Sequence, residues 1–500
     1  MDLVVLFSFL LFMLIFAGVG LSSVMVKENN TDDYLVASRG IHPALAALSA
    51  VSTWNSGYMF IGFIGFMWLM GYSAIWIATV STFGQLFAWI WIFKRIQSEG
   101  KERNVRSLSS LVAKIKGAPE AKLAAFLSVV FLLIYAAAQL SSGGKALFAM
   151  LGWNESVGII IGYILVILYC TAGGIRASIW TDAAQSCVMI VGSSILCYVA
   201  MSEVGWFSGL HETLKNTDPD LVSLTPKGLR LGLSMWIFSF FLGGMAVAGQ
   251  PQVVSRIMTL ESDKDRKQAC IWFFVWQTPF IILMVLIGLS SRAIFPVESG
   301  FDPELALPKL AMDILDPFWV GVILASIFAA TMSTADSQVL ACTAAITDDL
   351  FPSWAQDHKK AKLTTITMAM IATAISLFAY LTNNNSVFSL VVLAVYGLGS
   401  MFVPLLILRF LGYQPTTAHS CIMMLAALVG VVGWRILGLN NDVFDTVPGM
   451  SAAIIAHFTM LIVNKDPWLE HIKPTKNQLV TWGSIVLSII VSMELYYYFR

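Results

Sequence analysis

Residues Thr331–Gln338 read TMSTADSQ and put several hydroxyls and one carboxylate into two turns of an otherwise apolar stretch, Gly321–Leu340. Ser333 and Ser337 are four apart, with Thr334 and Asp336 beside them. On a helix this spacing lets several oxygens share one side. Back-bonding to carbonyls one turn earlier, common for Ser and Thr in apolar helices, accounts for one or two of the hydroxyls. It does not account for the acid. An Asp at membrane depth costs on the order of 3 kcal/mol unless it faces protein, a cavity or a partner. The group is therefore expected to hold a cation or a polar solute. A second acid in apolar surroundings, Asp182 in WTDAAQ, has two readings. With Thr181 it can begin a helix, where the dipole favours an acid. Facing Asp336 and Ser337, it would share a pocket whose repulsion a sodium ion or a proton relieves.

These residues need elements that leave oxygens free. Ser52–Gly57 reads STWNSG between apolar runs, and Gly243–Pro251 reads GGMAVAGQP. Glycines favour unwinding, and Pro251 removes a donor and clashes with the preceding turn. The interrupted spans are the second and the seventh, as expected of two five-span repeats of opposite topology, an arrangement that points to a transporter site. Unwound carbonyls at Ser52 and Asn55, the carbonyl of Ala330 and the hydroxyls of Ser333 and Thr334 would then supply about five neutral oxygens, a set that suits sodium. For solute, the candidates are Trp54 and Tyr58 at the first break, Tyr135, and Gln250 at the second. An aromatic at an unwound segment can stack on an apolar ring or hold a quaternary ammonium.

Of the 500 residues 57% are hydrophobic and 12% charged, the formal net charge is +0, and the mean hydropathy is +0.77. A soluble chain would carry roughly a quarter charged residues. Apolar runs at residues 3–25, 43–71, 73–94, 123–152, 155–173, 180–202, 228–254, 270–292, 317–346, 364–382, 386–410, 418–437, 448–464 and 478–498 predict about 14 transmembrane helices. The fold class is all-α and polytopic, a single transmembrane domain over residues 1–500 with core repeats at 43–202 and 228–410. Residues 3–25, 418–437, 448–464 and 478–498 are peripheral helices. Leu3–Leu21 lacks a basic leader and reads as a retained first span.

Lys and Arg cluster in residues 94–122, at Arg176, in a loop with Arg256, Lys264, Arg266 and Lys267, at Lys359–Lys362, and in 465–477. All fall on one side, and the other side's loops are acidic or neutral. The positive-inside rule makes the basic side cytoplasmic and puts both termini outside. Lys145 reads as a snorkelling side chain. The six Cys and six His are dispersed, so no zinc site, disulfide framework or metal centre is expected. No basic–aromatic surface for nucleic acid and no nucleophile–base pair is present, so an enzyme is not expected. No organic cofactor and no obligatory protein partner is inferred; the partners are solute, sodium and the lipid bilayer.

Three stretches carry a family resemblance: CTAGGIRASIWTDAAQ (Cys170–Gln185), AGQPQVVSRIM (Ala248–Met258) and AATMSTADSQVLACTAAITDDLF (Ala329–Phe351). The chain resembles the sodium/solute symporter family over nearly its whole length, and its sodium/proline symporter branch most. The resemblance implies a leucine-transporter-type inverted repeat with extra N- and C-terminal helices, and solute uptake coupled to sodium as the coupling ion. It places the principal sodium site at Ser52, Asn55, Ala330, Ser333 and Thr334, and a second sodium, found in some members, at Asp182, Ser333, Asp336 and Ser337. Tyr135 matches an aromatic residue implicated in solute binding. The chain departs from the proline branch at Trp54, where that branch has an acid, and at Gly243 and Val247, where it has aromatics. STWNSG and MSTADS also resemble the choline-transporting branch. The expectation is sodium-coupled import of a small solute, proline or a similar amino acid, across a plasma membrane of the bacterial inner-membrane type. The alternatives are a choline- or betaine-type quaternary amine as cargo, or a solute sensor. The sensor reading is disfavoured because no signalling module follows Tyr498.

Overall fold

The structure, a computed structural model, describes the chain except residues 1, 26–27, 29, 296–300, 383–385, 441 and most of 469–500. The expected fourteenth span, 478–498, lies largely outside the described residues.

The first span is α1 (Leu3–Ser22), followed by the short α2 (Thr31–Val36). The second span is divided into α3 (Pro43–Phe60) and α4 (Gly62–Met70), and the third into α5 (Ile75–Phe87) and α6 (Phe93–Glu102), joined by a π turn. After α7 (Leu108–Val112) come the 33-residue α8 (Pro119–Leu151) and the 49-residue α9 (Glu155–Glu203). The surface helix α10 (Trp206–Thr217) precedes a second divided span, α11 (Gly232–Met245) and α12 (Pro251–Met258). Then follow α13 (Asp263–Ile294), α14 (Ala306–Ile314), α15 (Pro317–Ala345), α16 (His358–Leu381), α17 (Val387–Phe410), α18 (Thr417–Ile436) and α19 (Thr446–Val463).

Among the described residues, eleven helical stretches are long and apolar enough to cross a membrane, and Glu155–Leu168 is a shorter apolar one. Each of the first thirteen expected spans falls on helix among the described residues, although α3, the first half of span two, is not one of those eleven stretches. Spans five and six form the two arms of α9. Gly174 (φ 58°, ψ −140°) breaks that helix, and the arms run antiparallel along α15. Cys170 and Ser178, on opposite sides of the break, both reach Asp336. Gly71 makes the same kind of turn between spans two and three, with φ 58° and ψ −139°. Both turns need the left-handed region that glycine enters without a Cβ penalty.

The molecule is organised around α15. Every residue from Val320 to Ala345 is buried, as expected of a helix apolar all round and rich in small residues. It packs against α1, α3, α8, α9 and α16. The outer helices present large apolar side chains outward, such as Ile271, Val275 and Ile282 on α13 and Leu363, Met370 and Phe378 on α16. On a water-facing surface these would be costly; facing lipid they are favourable.

Two charged residues are not where hydropathy put them. Arg256 does not belong to a basic loop: it is inside α12 and fully buried. Lys145 does not snorkel. It is buried on α8 and paired with Glu304 at 2.6 Å and Asp302 at 3.1 Å. Glu304 also accepts the Val387 and Phe388 backbone amides at 3.1 and 2.9 Å, at the start of α17. A charge with a tertiary partner can stay in the interior.

Candidate cation and solute site

The first break falls where STWNSG placed it. Ser56 leaves helical geometry (φ 46°, ψ 177°), and side chains from α8 take over backbone bonds. Gly57 N donates to Gln139 Oε1 at 2.8 Å, and Ser142 Oγ donates to Gly57 O at 3.4 Å. The second break is a 3-10 turn over Ala246–Gly249 and an extended Gln250, after which Pro251 starts α12. The Gln250 amide donates to Ala246 O at 3.2 Å and Val395 O at 2.9 Å, so it ties the break to α17. Proline at a first helical position is favourable because its missing N–H would be unsatisfied there in any case.

Across the first break lies α15. Thr334 Oγ1 donates to Thr53 O at 3.1 Å and Ala330 O at 3.0 Å. Thr53 Oγ1 and Ser337 Oγ are 3.2 Å apart. The expected sodium residues Ser52, Asn55, Ala330, Ser333 and Thr334 therefore sit on two helices in direct contact, and all are buried. Buried polar atoms normally have a partner, yet Asn55 Oδ1 and Ser333 Oγ have none. Ser52 Oγ meets only the sulfur of Met189, at 3.8 Å. Free neutral oxygens of this type fit a small hard monovalent cation.

One to two turns along α15, the two acids come together. Asp182 is in the interior of the second α9 arm, not at a helix start, so it is not a cap. Its Oδ2 accepts Ser49 Oγ at 2.5 Å and lies 3.5 Å from Arg256 Nη2. Asp336 Oδ1 accepts Ser178 Oγ and Ser337 Oγ, each at 3.0 Å. The other oxygens, Asp182 Oδ1 and Asp336 Oδ2, have no partner. Ser333 is adjacent to Asp182 without making a hydrogen bond to it. This is the group expected from the sequence, with Arg256 added.

Trp54, Tyr58 and Tyr135 line a cavity of about 60 Å³, with Gly243, Gln277 and Tyr396 among its other walls. Gln250 is not on its wall. Among the described residues, no Asp, Glu, Lys, Arg or His lines it. Asn55 Nδ2 donates to Gln277 Oε1 at 2.7 Å, which connects the sodium residues to the cavity wall. The sequence alone nominates neither Gln277 nor Arg256 as an ion or solute residue, and places Arg256 in a basic loop. The first has a visible sign, an amide within the apolar run FFVWQTPF of α13. A second cavity of about 580 Å³ lies towards the acidic-loop face, bordered by Lys145, Asp302, Glu304, Arg435 and Asp445. Phe388 borders this outer cavity and its ring is 5.7 Å from Tyr58, which lines the inner one.

Residues 34–429 match the model of the sodium:solute symporter family. The chain belongs to that family. This symporter is 26% identical over 451 residues to the high-affinity proline transporter of Bacillus subtilis (strain 168), covering 88% of this chain and 94% of that one. It is 26% identical over 460 residues to the sodium/proline symporter of Escherichia coli (strain K12), covering 88% and 89%. Its fold is similar to a sodium-coupled sialic acid symporter in a substrate-bound outward-open state, with a TM-score of 0.78 at 18% identity over 92% of this chain and 98% of that one. A nucleobase–cation symport transporter in a closed conformation is also similar, with a TM-score of 0.55 at 14% identity over 86% and 94%. The symporter thus has the inverted-repeat core expected of it. It couples movement of a small organic solute to sodium, and it is a transporter, not an enzyme.

Proposed function

We propose that this symporter imports proline or a similar small amino acid together with sodium through a plasma membrane, the bacterial inner membrane. The observation that carries the reading is the contact between the two sites. Asn55 has one amide atom free for a cation and the other bonded to Gln277, which faces the solute cavity. Sodium at Ser52, Asn55, Ala330, Ser333 and Thr334 would fix Asn55, hence Gln277, and favour solute. Solute in turn would favour sodium by the same coupling free energy. A second sodium is assigned to Asp182, Asp336, Ser337 and Ser333.

Size supports a small cargo. The cavity of about 60 Å³ exceeds the roughly 10–15 Å³ needed to admit one water, and leaves room for a small solute rather than a large one. Solute would enter from the acidic-loop face, where the larger cavity lies, and sodium would leave on the basic face. That face is cytoplasmic by the positive-inside rule, with both termini outside. A potential on the order of 100 mV adds about 2.3 kcal/mol per charge to the drive.

A second reading has its own observation. The cavity wall is aromatic and uncharged, which also suits a quaternary amine held over ring faces. Uptake into proteoliposomes, with proline, other amino acids, choline and betaine each tested with and without sodium, separates the two. Accumulation of proline only with sodium supports the first reading, and accumulation of choline or betaine instead selects the second. Ser333→Ala with Thr334→Ala is expected to abolish the sodium dependence, and unchanged dependence would overturn the ion-site assignment.

A further inference from the structure

Arg256 belongs to the polar core, yet neither the expected ion site nor the cavity accounts for it. It is fully buried, and each of its nitrogens is engaged. Nε donates to Ser49 Oγ at 3.1 Å. Nη1 donates to Gln252 O at 3.3 Å and Ser255 Oγ at 3.1 Å. Nη2 donates to Ser178 Oγ at 2.6 Å and to Ser337 Oγ. Its charge partner is Asp182, 3.5 Å away. Asp336 is reached only through Ser178 and Ser337, which accept from Arg256 and donate to Asp336 Oδ1.

The guanidinium thus joins the inner halves of both broken spans, α3 and α12, to the second arm of α9 and to α15. It leaves Asp182 Oδ1, Asp336 Oδ2 and the neighbouring Ser333 Oγ without a partner. Two buried carboxylates face one guanidinium, which leaves a single negative charge. In a low-dielectric interior an uncompensated charge is expensive, and one monovalent cation cancels it.

We propose that Arg256 is the fixed counter-charge of this pocket and sets its capacity at one monovalent cation, held by Asp182, Asp336 and Ser333. The proposal rests on the sodium-symport reading for the identity of that cation, but its charge balance can be read without transport. Were Arg256 neutral, the pocket would carry two negative charges and suit a divalent ion. With Asp336 also neutral, Asp182 alone would remain and the single negative charge would return.

The test uses purified full-length protein in nanodiscs. Melting is followed in potassium buffer, then with added sodium or calcium, for wild type, Arg256→Gln, Asp336→Asn and the double variant. Arg256→Gln is expected to melt lower than wild type and to be stabilised by millimolar calcium, to which wild type is indifferent. The double variant is expected to melt above Arg256→Gln and to lose the calcium response. A double variant no more stable than Arg256→Gln, or an equal calcium response in wild type, would make Arg256 a structural tie and overturn the proposal. Should Arg256→Gln fail to fold, Asp336→Asn decides alone. With Arg256 and Asp182 balanced, the sodium titration should flatten from a Hill slope of about two to about one, and an unchanged slope would refute the proposal. A wild type that ignores sodium altogether would sink the symport reading, while the rescue in potassium would still report on Arg256.

Discussion

The residue that joins ion and solute is Asn55. Its two amide atoms serve different sites, and the Gln277 it bonds lines the cavity. Losing one buried hydrogen-bond partner costs about 1–3 kcal/mol. Gln277→Leu should therefore raise both the sodium concentration for half-maximal uptake and the solute KM, each by roughly tenfold. Sodium-dependent uptake measured over a grid of sodium and solute concentrations checks it. An effect on solute alone would mean that the contact does not carry coupling. Asn55 was legible because it lies in a polar break. Gln277 was not, since a single amide in an apolar helix has no meaning until a partner is known. Asp182 had two readings for the same reason, and only its place inside α9 excluded the cap.

At the scale of elements, the breaks were legible from chemistry that acts locally. Ser56 interrupts α3 beside Gly57, and the 3-10 turn Ala246–Gly249 with extended Gln250 separates α11 from α12 just before Pro251, whereas Gly243 and Gly244 stay helical within α11. Glycine and proline marked the neighbourhood of each break. The turn at Gly174 has the same origin and permits a sharp prediction. A Cβ there would meet a left-handed backbone and collide with the Tyr34 carbonyl. Gly174→Ala is expected to cost at least about 2 kcal/mol, seen as a lower melting temperature. At Gly57 a Cβ would lie 2.5 Å from both Ser142 Oγ and Thr331 Cγ2, with no positive φ to add strain. Gly57→Ala should therefore disturb the packing of the break against α8 and α15. Its expected signature is reduced uptake at normal expression, and full uptake would show that the break adapts.

For the whole molecule, the two faces are unequal. On the basic face Arg106 holds Asp348 through two bonds, at 2.9 and 2.6 Å, and Asp32 at 2.8 Å. Burial works against the Arg106 charge, but bonds to Asp348 and the pull of both acids raise its pKa above the usual arginine value. Asp349 accepts three serine hydroxyls, from Ser107, Ser109 and Ser110. Arg39 reaches the carbonyls of Met258, Gly100 and Val105. The larger cavity lies towards the opposite face. Breaking one partner of a buried pair costs about 3–5 kcal/mol, so Arg106→Gln should shift the population towards states open on the basic face. Spin-label distances across each face check this. A distribution matching wild type would show that these ties do not hold that face shut.

The sequence by itself determined the membrane class, the positions of the first thirteen spans, both helix breaks and the acids within apolar helices. Each depends on composition or on backbone preferences acting over a few residues. The tertiary structure decided which charges stay inside. Arg256 and Lys145 were assigned by hydropathy to a loop and to a membrane edge, because an isolated charge is unstable in a bilayer. Asp182 lies 74 positions before Arg256, and Glu304 lies 159 after Lys145. An interior charge is stabilised by a partner that only folding brings within about 4 Å, where the low dielectric strengthens the attraction.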